Sequence, residues 1–252
     1  MDKIVFITGA TSGFGKAAAK LFAKNGNHLI ITGRRMALLD KLSNKLIDKY
    51  NVRVLPLCFD VRNAQETAEV IGSIPEHWRK IDVLINNAGL ASGLSKIQDG
   101  DLDDWNKMID TNIKGLLHVS KAVMPLMIAR KKGHIINIGS TAGKEVYLNG
   151  NVYCATKHAV DAITKSMRID MLEHGIKVTQ ICPGAAETEF SLVRFHGDKE
   201  KAKAVYKGFK PMSADDVANV IYYTTTLPAH LCINDVVMTS LAQANSFYFD
   251  KK

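Results

Sequence analysis

The chain is short of the residues that several protein classes depend on. It has four cysteines, Cys58, Cys154, Cys182 and Cys232, far apart and with no Cys-x-x-Cys pair. That excludes a disulfide framework or a thiolate zinc site and predicts reduced, packed thiols in a cytoplasmic protein. Its eight histidines show no His-x-x-x-His spacing, so no catalytic metal is expected. The apolar run in MDKIVFITGA is too short for a signal peptide or a membrane span, and no membrane partner is expected. Internal repeats, linkers and low-complexity stretches are all missing. One more absence is local: the segment after the second predicted strand, Gly33-Arg34-Arg35, carries no acidic residue.

What is present reads as an ordinary globular chain. Its 252 residues are 46% hydrophobic and 23% charged, enough for a sizeable core. The net charge of +8 fits an anionic ligand or a basic surface. The basic residues are scattered, and the densest run, Arg130 to Lys132, suits a helix C-terminus, so nucleic acid is not an expected partner.

Short apolar strands alternate with amphipathic helices. Strand Ile4–Thr8 runs into the glycine-rich TGATSGFG, residues 8–15, and then into a helical pattern through Ala17, Ala18, Leu21 and Phe22. Strand, glycine turn, helix is the dinucleotide-binding arrangement. Gly9 serves the tight turn, Gly13 the approach of backbone to a pyrophosphate, and Gly15 the packing of the helix. Where an NAD site places an acid on the ribose, Arg34 and Arg35 stand here, suited to a 2′-phosphate with Ser12 nearby. The other reading makes both arginines the start of a solvated helix face.

Further strands are predicted at His28–Thr32, Val52–Phe59, Asp82–Ile85, Ile135–Ile138, Lys177–Cys182 and Cys232–Met238. Helices are predicted at Met36–Lys49, Ala64–Ser73, Leu102–Arg130, Val152–Leu172 and Ser213–Thr226, the last opened by a Ser213/Asp216 cap. Trp78 and Trp105 read as packing residues. Asn112, a polar residue inside the long 102–130 helix, implies exposure or a kink. The expected architecture is a single Rossmann-like α/β domain, 1–252, with a doubly wound parallel sheet of order 3-2-1-4-5-6-7. The long connection 185–210 reads as a substrate lid, its Gly197–Lys203 half a solvated helix face. The tail 241–252 has no assigned role.

The chemistry is expected between Gly133 and Lys157. Ser140 ends a buried strand, where open α/β sheets place ligand contacts. Tyr153 and Lys157 lie four residues apart on one helix face. An ammonium beside a phenol would favour its ionised form, making Tyr153 a proton donor and acceptor while Ser140 binds the same substrate oxygen. A helix-face Tyr–Lys contact without function is the bland alternative.

TGATSGFG, Asp60-Val61, Asn86-Asn87-Ala88-Gly89, Asn112, the GSTAG segment at 139–143, Tyr153-x-x-x-Lys157 and Pro183-Gly184 with Thr188 together resemble the short-chain dehydrogenases/reductases. That resemblance implies a catalytic tetrad of Asn112, Ser140, Tyr153 and Lys157, with Asn112 bending its helix so that a water links Lys157 to solvent. It implies NADP contacts from Gly9, Ser12, Gly13, Phe14, Gly15, Arg34, Arg35, Asp60, Val61, Asn87, Ala88, Gly89, Tyr153, Lys157, Pro183, Gly184 and Thr188. It also implies a homotetramer built through the two long central helices and the last strand.

A narrower set resembles the NADP-dependent 3-hydroxy acid dehydrogenases: Asp110-Thr111-Asn112, IINIGSTAG, Asn151-Val152-Tyr153, Thr188 to Ser191, Val193-Arg194-Phe195 and Leu227 to His230. This implies reversible oxidation of a small carboxylate substrate such as serine, allo-threonine or 3-hydroxypropionate. Arg194, flanked by Leu192, Val193 and Phe195, is the candidate for its carboxylate; the alternative pairs Arg194 with Asp198 on a helix surface. Two other functions stay open. A 3-oxoacyl-type reductase is one, although Asp235 to Ser240 lacks the Val-Asp-Gly-Gly ending typical of them. A non-catalytic NADP-binding sensor is the other, although such proteins usually lose part of the tetrad.

Overall fold

The computed structural model describes residues 2–252. It contains one seven-stranded sheet, β1 Ile4–Ile7, β2 His28–Gly33, β3 Val54–Cys58, β4 Ile81–Asn86, β5 Gly133–Ile138, β6 Ile176–Pro183 and β7 Asp235–Met238. All neighbouring pairs are parallel, in the order β3-β2-β1-β4-β5-β6-β7. The predicted doubly wound topology is what forms.

The strand sequences explain why both faces are covered. IVFI in β1 has no polar alternation, so Val5 and Ile7 enter one core while Ile4 and Phe6 enter the other. The first core lies under α1 (Gly13–Lys24), α2 (Met36–Tyr50) and α9 (Ala214–Thr224), through Phe22, Leu39, Leu46 and Ile221. The second lies under α3 (Ala64–Gly72), α5 (Leu116–Ile128) and α6 (Asn151–Asp170), through Ile71, Val123, Met127 and Met167. Each large apolar side chain so buried contributes roughly 1.5–3 kcal/mol. Trp78 packs into this second core, as its sequence context suggested. The Ser213/Asp216 capping box that opens α9 also forms.

Four expectations need correction. The predicted helix 102–130 is not continuous: α4 (Leu102–Ile109) and α5 are joined by a π-helical turn, Asp110–Gly115. Asn112 lies within that turn and is buried, so its reading as a kink holds and its reading as exposed does not. Second, the connection 185–210 begins with a short helix, α7 (Phe190–Arg194), where only a loop is expected, while α8 (Lys199–Ala204) falls on the half expected to be a solvated helix face. Third, β7 starts at Asp235 rather than Cys232, because only Asp235–Met238 pair with β6. Fourth, Cys58 is exposed at the end of β3, an edge strand paired with β2 alone, so packing does not hold all four thiols.

The topology positions the site. β1 leads outward through β2 to β3, and β4 through β5 and β6 to β7, so the chain reverses direction across the sheet between β1 and β4. Crossovers diverge there and leave a crevice at the carboxyl ends of the strands, where ligands of such sheets bind.

A candidate active site across the strand ends

The crevice is a cleft of about 600 Å³ running from the glycine turn to the carboxyl-terminal tail. At its first end the backbone does most of the shaping. Gly9 and Gly13 have φ of +65° and +50°, which side chains with a Cβ rarely adopt. A Cβ on Gly15 would lie 2.5 Å from both the Gly9 carbonyl and Asn87 Nδ2. Asn87 holds the turn in place: its Nδ2 donates to the carbonyls of Thr8 (2.8 Å) and Gly9 (3.2 Å). Thr8 Oγ1 in turn accepts from the amides of Asn87 and Ala88 at 2.9 and 2.8 Å. Helix α1 then begins with no side-chain cap from Ser12 and no acidic residue in its first turn. Its unpaired N–H groups and positive dipole end face the cleft, as an anion site requires.

Arg34 and Arg35 border the same end. Arg34 Nη1 is 3.8 Å from Asp60 Oδ2. Burial opposes ionisation of Asp60, but the Arg62 hydrogen bonds outweigh it and hold the carboxyl below its usual range. Arg62 is the nearer partner of Asp60, its Nη2 at 2.6 Å against 3.8 Å for Arg34 Nη1. Arg35 Nη2 donates to Thr11 Oγ1 at 2.8 Å, and its Nη1 pairs with Glu189 Oε2 at 3.4 Å. The hydroxyl that meets the arginine is thus that of Thr11 and not of Ser12, although both residues line the cleft.

The four tetrad candidates meet at the centre. Ser140, at the end of β5, accepts from Ala142 N at 3.1 Å and donates to the Pro183 carbonyl at 3.4 Å. Tyr153 and Lys157 occupy the first turns of α6, both buried. Asn112 is held by three hydrogen bonds: Oδ1 accepts from Leu90 N, and Nδ2 donates to Leu90 O and Thr156 Oγ1, at 2.8, 2.8 and 3.0 Å. Thr156 Oγ1 donates to the Tyr153 carbonyl at 2.8 Å. The π-helical turn is therefore tied to the helix that carries Tyr153. Gly89 fits close beneath, since a Cβ there would come 3.2 Å from Asn112 Oδ1 and 3.7 Å from Lys157 Nζ.

The expected Tyr153–Lys157 pair is looser than a direct contact. Lys157 was expected to favour the Tyr153 phenolate, but its Nζ donates to the Ile138 carbonyl at 2.9 Å and stands 5.9 Å from the Tyr153 ring centre. Burial lowers the Lys157 ammonium itself to about 8. Burial also pushes Tyr153 above its ordinary value, with Tyr147 adding to that rise, while Arg194 and the Ser140 hydroxyl oppose it. The cation that opposes that rise is Arg194.

Arg194 defines the second end of the cleft. Its guanidinium lies 5.0 Å over the Tyr153 ring, 5.1 Å over Phe190 and 5.7 Å over Tyr147. Its Nη2 donates to the Tyr147 hydroxyl at 2.6 Å. The alternative pairing with Asp198 does not form, because Asp198 caps α8 and pairs with Lys201 at 3.4 Å. Trp105, expected only to pack, is partly buried against the small cluster that includes Tyr153.

The tail completes this end and was not foreseen from the sequence. Gln243 is buried, accepts from Ala185 N at 2.8 Å and donates to Asn245 O at 2.9 Å. Gly184 accommodates it, since a Cβ there would lie 2.2 Å from Gln243 Oε1. Phe249 packs against Phe209 with tilted rings, centroids 5.1 Å apart, and Lys252 N donates to the Gly208 carbonyl at 2.8 Å. Gln243, Ser246, Phe249 and Lys251 all line the cleft. Nothing in their spacing signals this, because each reaches the cleft only once the tail has folded back.

A parallel sheet with a glycine turn at its switch point and a Ser–Tyr–Lys–Asn cluster beside it defines a class. The chain belongs to the short chain dehydrogenase family, whose model matches residues 3–198. It is 46% identical over 249 residues to sulfoacetaldehyde reductase 2 of Chromohalobacter salexigens, covering 98% of each chain. It is also 46% identical over 242 residues, 96% of each chain, to the NADP-dependent 3-hydroxy acid dehydrogenase YdfG of Salmonella typhimurium. Among solved structures, the closed form of serine dehydrogenase complexed with NADP+ superposes with a TM-score of 0.91. The two chains are 43% identical, with 96% of this chain and 97% of that one covered. The protein is an oxidoreductase acting on CH–OH groups.

Proposed function

We propose that the protein interconverts a small 3-hydroxy acid and its semialdehyde or keto form, using NADP(H). The observation that carries the anionic substrate is Arg194, stacked 5.0 Å over the ring of Tyr153 in the same cleft. The cofactor reading rests on fit. The uncapped α1 N-terminus suits a pyrophosphate, and the three atoms nearest to a Cβ on Gly13 all belong to Thr188, at 3.6 Å and beyond, so the backbone there is not crowded. Arg34, with a half-exposed guanidinium whose only ion pair among the described residues is the long 3.8 Å contact to Asp60, suits a 2′-phosphate. The nicotinamide, when bound, supplies or accepts the hydride.

This chain's residues would do the rest. Tyr153 gives its phenol proton to the carbonyl oxygen in reduction and is left as phenolate; in oxidation it starts from that phenolate and takes the proton of the substrate hydroxyl. Ser140 turns its hydroxyl from Pro183 O to the same oxygen, and Lys157 stays committed to Ile138 O and the cofactor side. Asn112, Gly89 and the remaining cofactor residues named from the sequence keep those roles as proposals. Arg194 takes the carboxylate as a charge-assisted pair, with Tyr147 fixing its direction. A sulfonate would meet the same guanidinium, which bears on the similarity to a sulfoacetaldehyde reductase.

Residues 185–210, carrying α7 and α8, form the lid of one domain spanning 1–252. The exposed apolar residues Leu102 and Leu117 on the central helices and Val237 on β7 support a homotetramer through those elements. Among the described residues no helix is long and apolar enough to cross a membrane, and we place the protein in the cytoplasm. The test is a panel assay following NADP+ reduction over serine, allo-threonine, 3-hydroxypropionate, 3-hydroxyisobutyrate and 2-hydroxyethanesulfonate. Turnover of at least one acid, with KM well below that for an uncharged alcohol of similar size, is expected. Preference for the uncharged alcohol would overturn the reading.

A further inference from the structure

Asp104 is a buried carboxylate with no part in the chemistry above. It sits in the first turn of α4, where the helix N-terminus favours a negative charge, and Asp101 caps that turn by accepting from its amide at 3.0 Å. Both of its oxygens are used. Oδ1 accepts from Ser92 Oγ at 2.6 Å and lies 3.5 Å from Lys107 Nζ. Oδ2 lies 3.1 Å from His196 Nε2, on the turn that ends α7. The same two segments are joined a second time, because Gly93 N donates to the Arg194 carbonyl at 2.9 Å. Gly93 has φ of +71°, and a Cβ there would come 2.9 Å from Asp104 Oδ2, so only glycine lets the strand-end loop pass this close.

One carboxylate therefore holds both the 92–93 loop and the 194–196 turn. Between them lies a cavity of about 20 Å³ lined by Asp104, Asn149, Tyr153 and Arg194. Arg194 Nε and Asn149 Oδ1 are buried there without a protein partner. A cavity of that size holds one water, and a donor and an acceptor are what one water can bridge. The guanidinium is thus fixed on one side by Tyr147 and the neighbouring rings, and the Arg194 carbonyl on the other by Gly93, while Asp104 holds the flanking Ser92 and His196.

We propose that Asp104 is a positioning residue for substrate specificity: through His196 and the 92–93 loop it sets where Arg194 meets the substrate anion. The proposal rests on the reading of Arg194 as the anion contact. A misplaced binding group weakens ground-state binding of the anion without altering proton transfer, so its signature is a change in KM and not in kcat.

The test uses the full-length enzyme with two substrates, 3-hydroxypropionate oxidised with NADP+ and the uncharged aldehyde propanal reduced with NADPH. Asp104→Asn keeps the size of the side chain and an acceptor for Ser92 but removes the charge facing His196. His196→Asn withdraws the partner from the exposed side, and asparagine tolerates the φ of +52° at that position, so this variant does not threaten folding. Each is expected to raise KM for 3-hydroxypropionate about five- to tenfold with kcat within about twofold, and to leave propanal unchanged. The double variant should be no worse than Asp104→Asn alone, because both break one contact. Arg194→Ala on the same substrates separates the two ideas. A selective loss there beside flat results for Asp104→Asn and His196→Asn overturns the positioning role alone. A flat Arg194→Ala overturns the anion reading and this proposal with it. Equal losses on both substrates in Asp104→Asn and His196→Asn would show a purely structural contact and also overturn it.

Discussion

The two ends of the cleft are built by different means. The cofactor end is made of four short contiguous segments, each at or just past a strand terminus or at a helix start: 8–15, 33–35, 60–61 and 86–89. Its shape is a backbone shape, set by Gly9 and Gly13 at positive φ and by the Thr8–Asn87 bonds. The substrate end is made of side chains from segments far apart, Tyr147, Phe190, Arg194 and Gln243, stacked and hydrogen-bonded only after the fold is complete. A backbone-built site is stiff and announces itself in local sequence. A side-chain-built site is adjustable, which is where a family sharing one chemistry can vary its substrates.

The sharpest break in this comparison is at Tyr153, which stands between the two ends. Tyr153→Phe should lower kcat by roughly 10²–10⁴-fold, the contribution of a positioned acid–base group. NADPH affinity, followed by the cofactor's fluorescence, should hardly move. A variant that keeps more than a few per cent of the rate removes Tyr153 from proton transfer.

The cofactor end is tested alone by reversing charge at Arg34 and Arg35. Charge-assisted hydrogen bonds contribute about 1.5–3 kcal/mol, so KM for NADPH should rise roughly ten- to hundredfold, with far less change for NADH. Arg34→Glu should account for more of this than Arg35→Glu, because Arg35 is already shared between Thr11 and Glu189. A wild-type enzyme that prefers NADH would remove the 2′-phosphate assignment.

The substrate end is tested alone by Arg194→Ala. The expected loss in kcat/KM for 3-hydroxy acids is about tenfold or more, with little change for an uncharged carbonyl. Equal losses on both would mean that the anion is held elsewhere.

The smallest effect separates function from stability. Lys157 falls from 10.5 to about 8 in the folded protein because burial disfavours its ammonium. Below pH 8 both folded and unfolded chains carry the proton, and the full cost of burying the charge is present. Between pH 8 and 10.5 the unfolded chain binds more protons than the folded one, so this group makes stability rise with pH. The gross cost near neutrality is about 3 kcal/mol. Lys157→Met removes it but also loses the bond to Ile138 O, which contributes about 1 kcal/mol. The variant should therefore be inactive yet more stable than wild type at pH 7 by urea denaturation, with the gain shrinking towards pH 10. A variant less stable at pH 7 would show that Lys157 is held more favourably than its burial implies.

Much of this molecule was legible in its residues because the physics involved is local. Uniform apolar runs such as IVFI dictate strands covered on both faces. Ser213 three residues before Asp216 dictates a helix start, and Tyr153 four residues before Lys157 dictates a shared helix face. The alternation of such units, with right-handed crossovers, leaves few topologies beyond the doubly wound sheet. Tertiary structure decided what depends on partners distant in sequence. Asn112 is buried in a π-helical turn because Leu90 and Thr156 arrive to bind its amide. Lys157 Nζ bonds Ile138 O, and Arg194 comes within 5.0 Å of the Tyr153 ring centre against 5.9 Å for Lys157, contacts that the i,i+4 relation of the chain does not specify. Arg194 left Asp198 for Tyr147, and Gln243 reached Ala185, since exposed pairs contribute about 0.2–1 kcal/mol at most and buried polar groups must find partners.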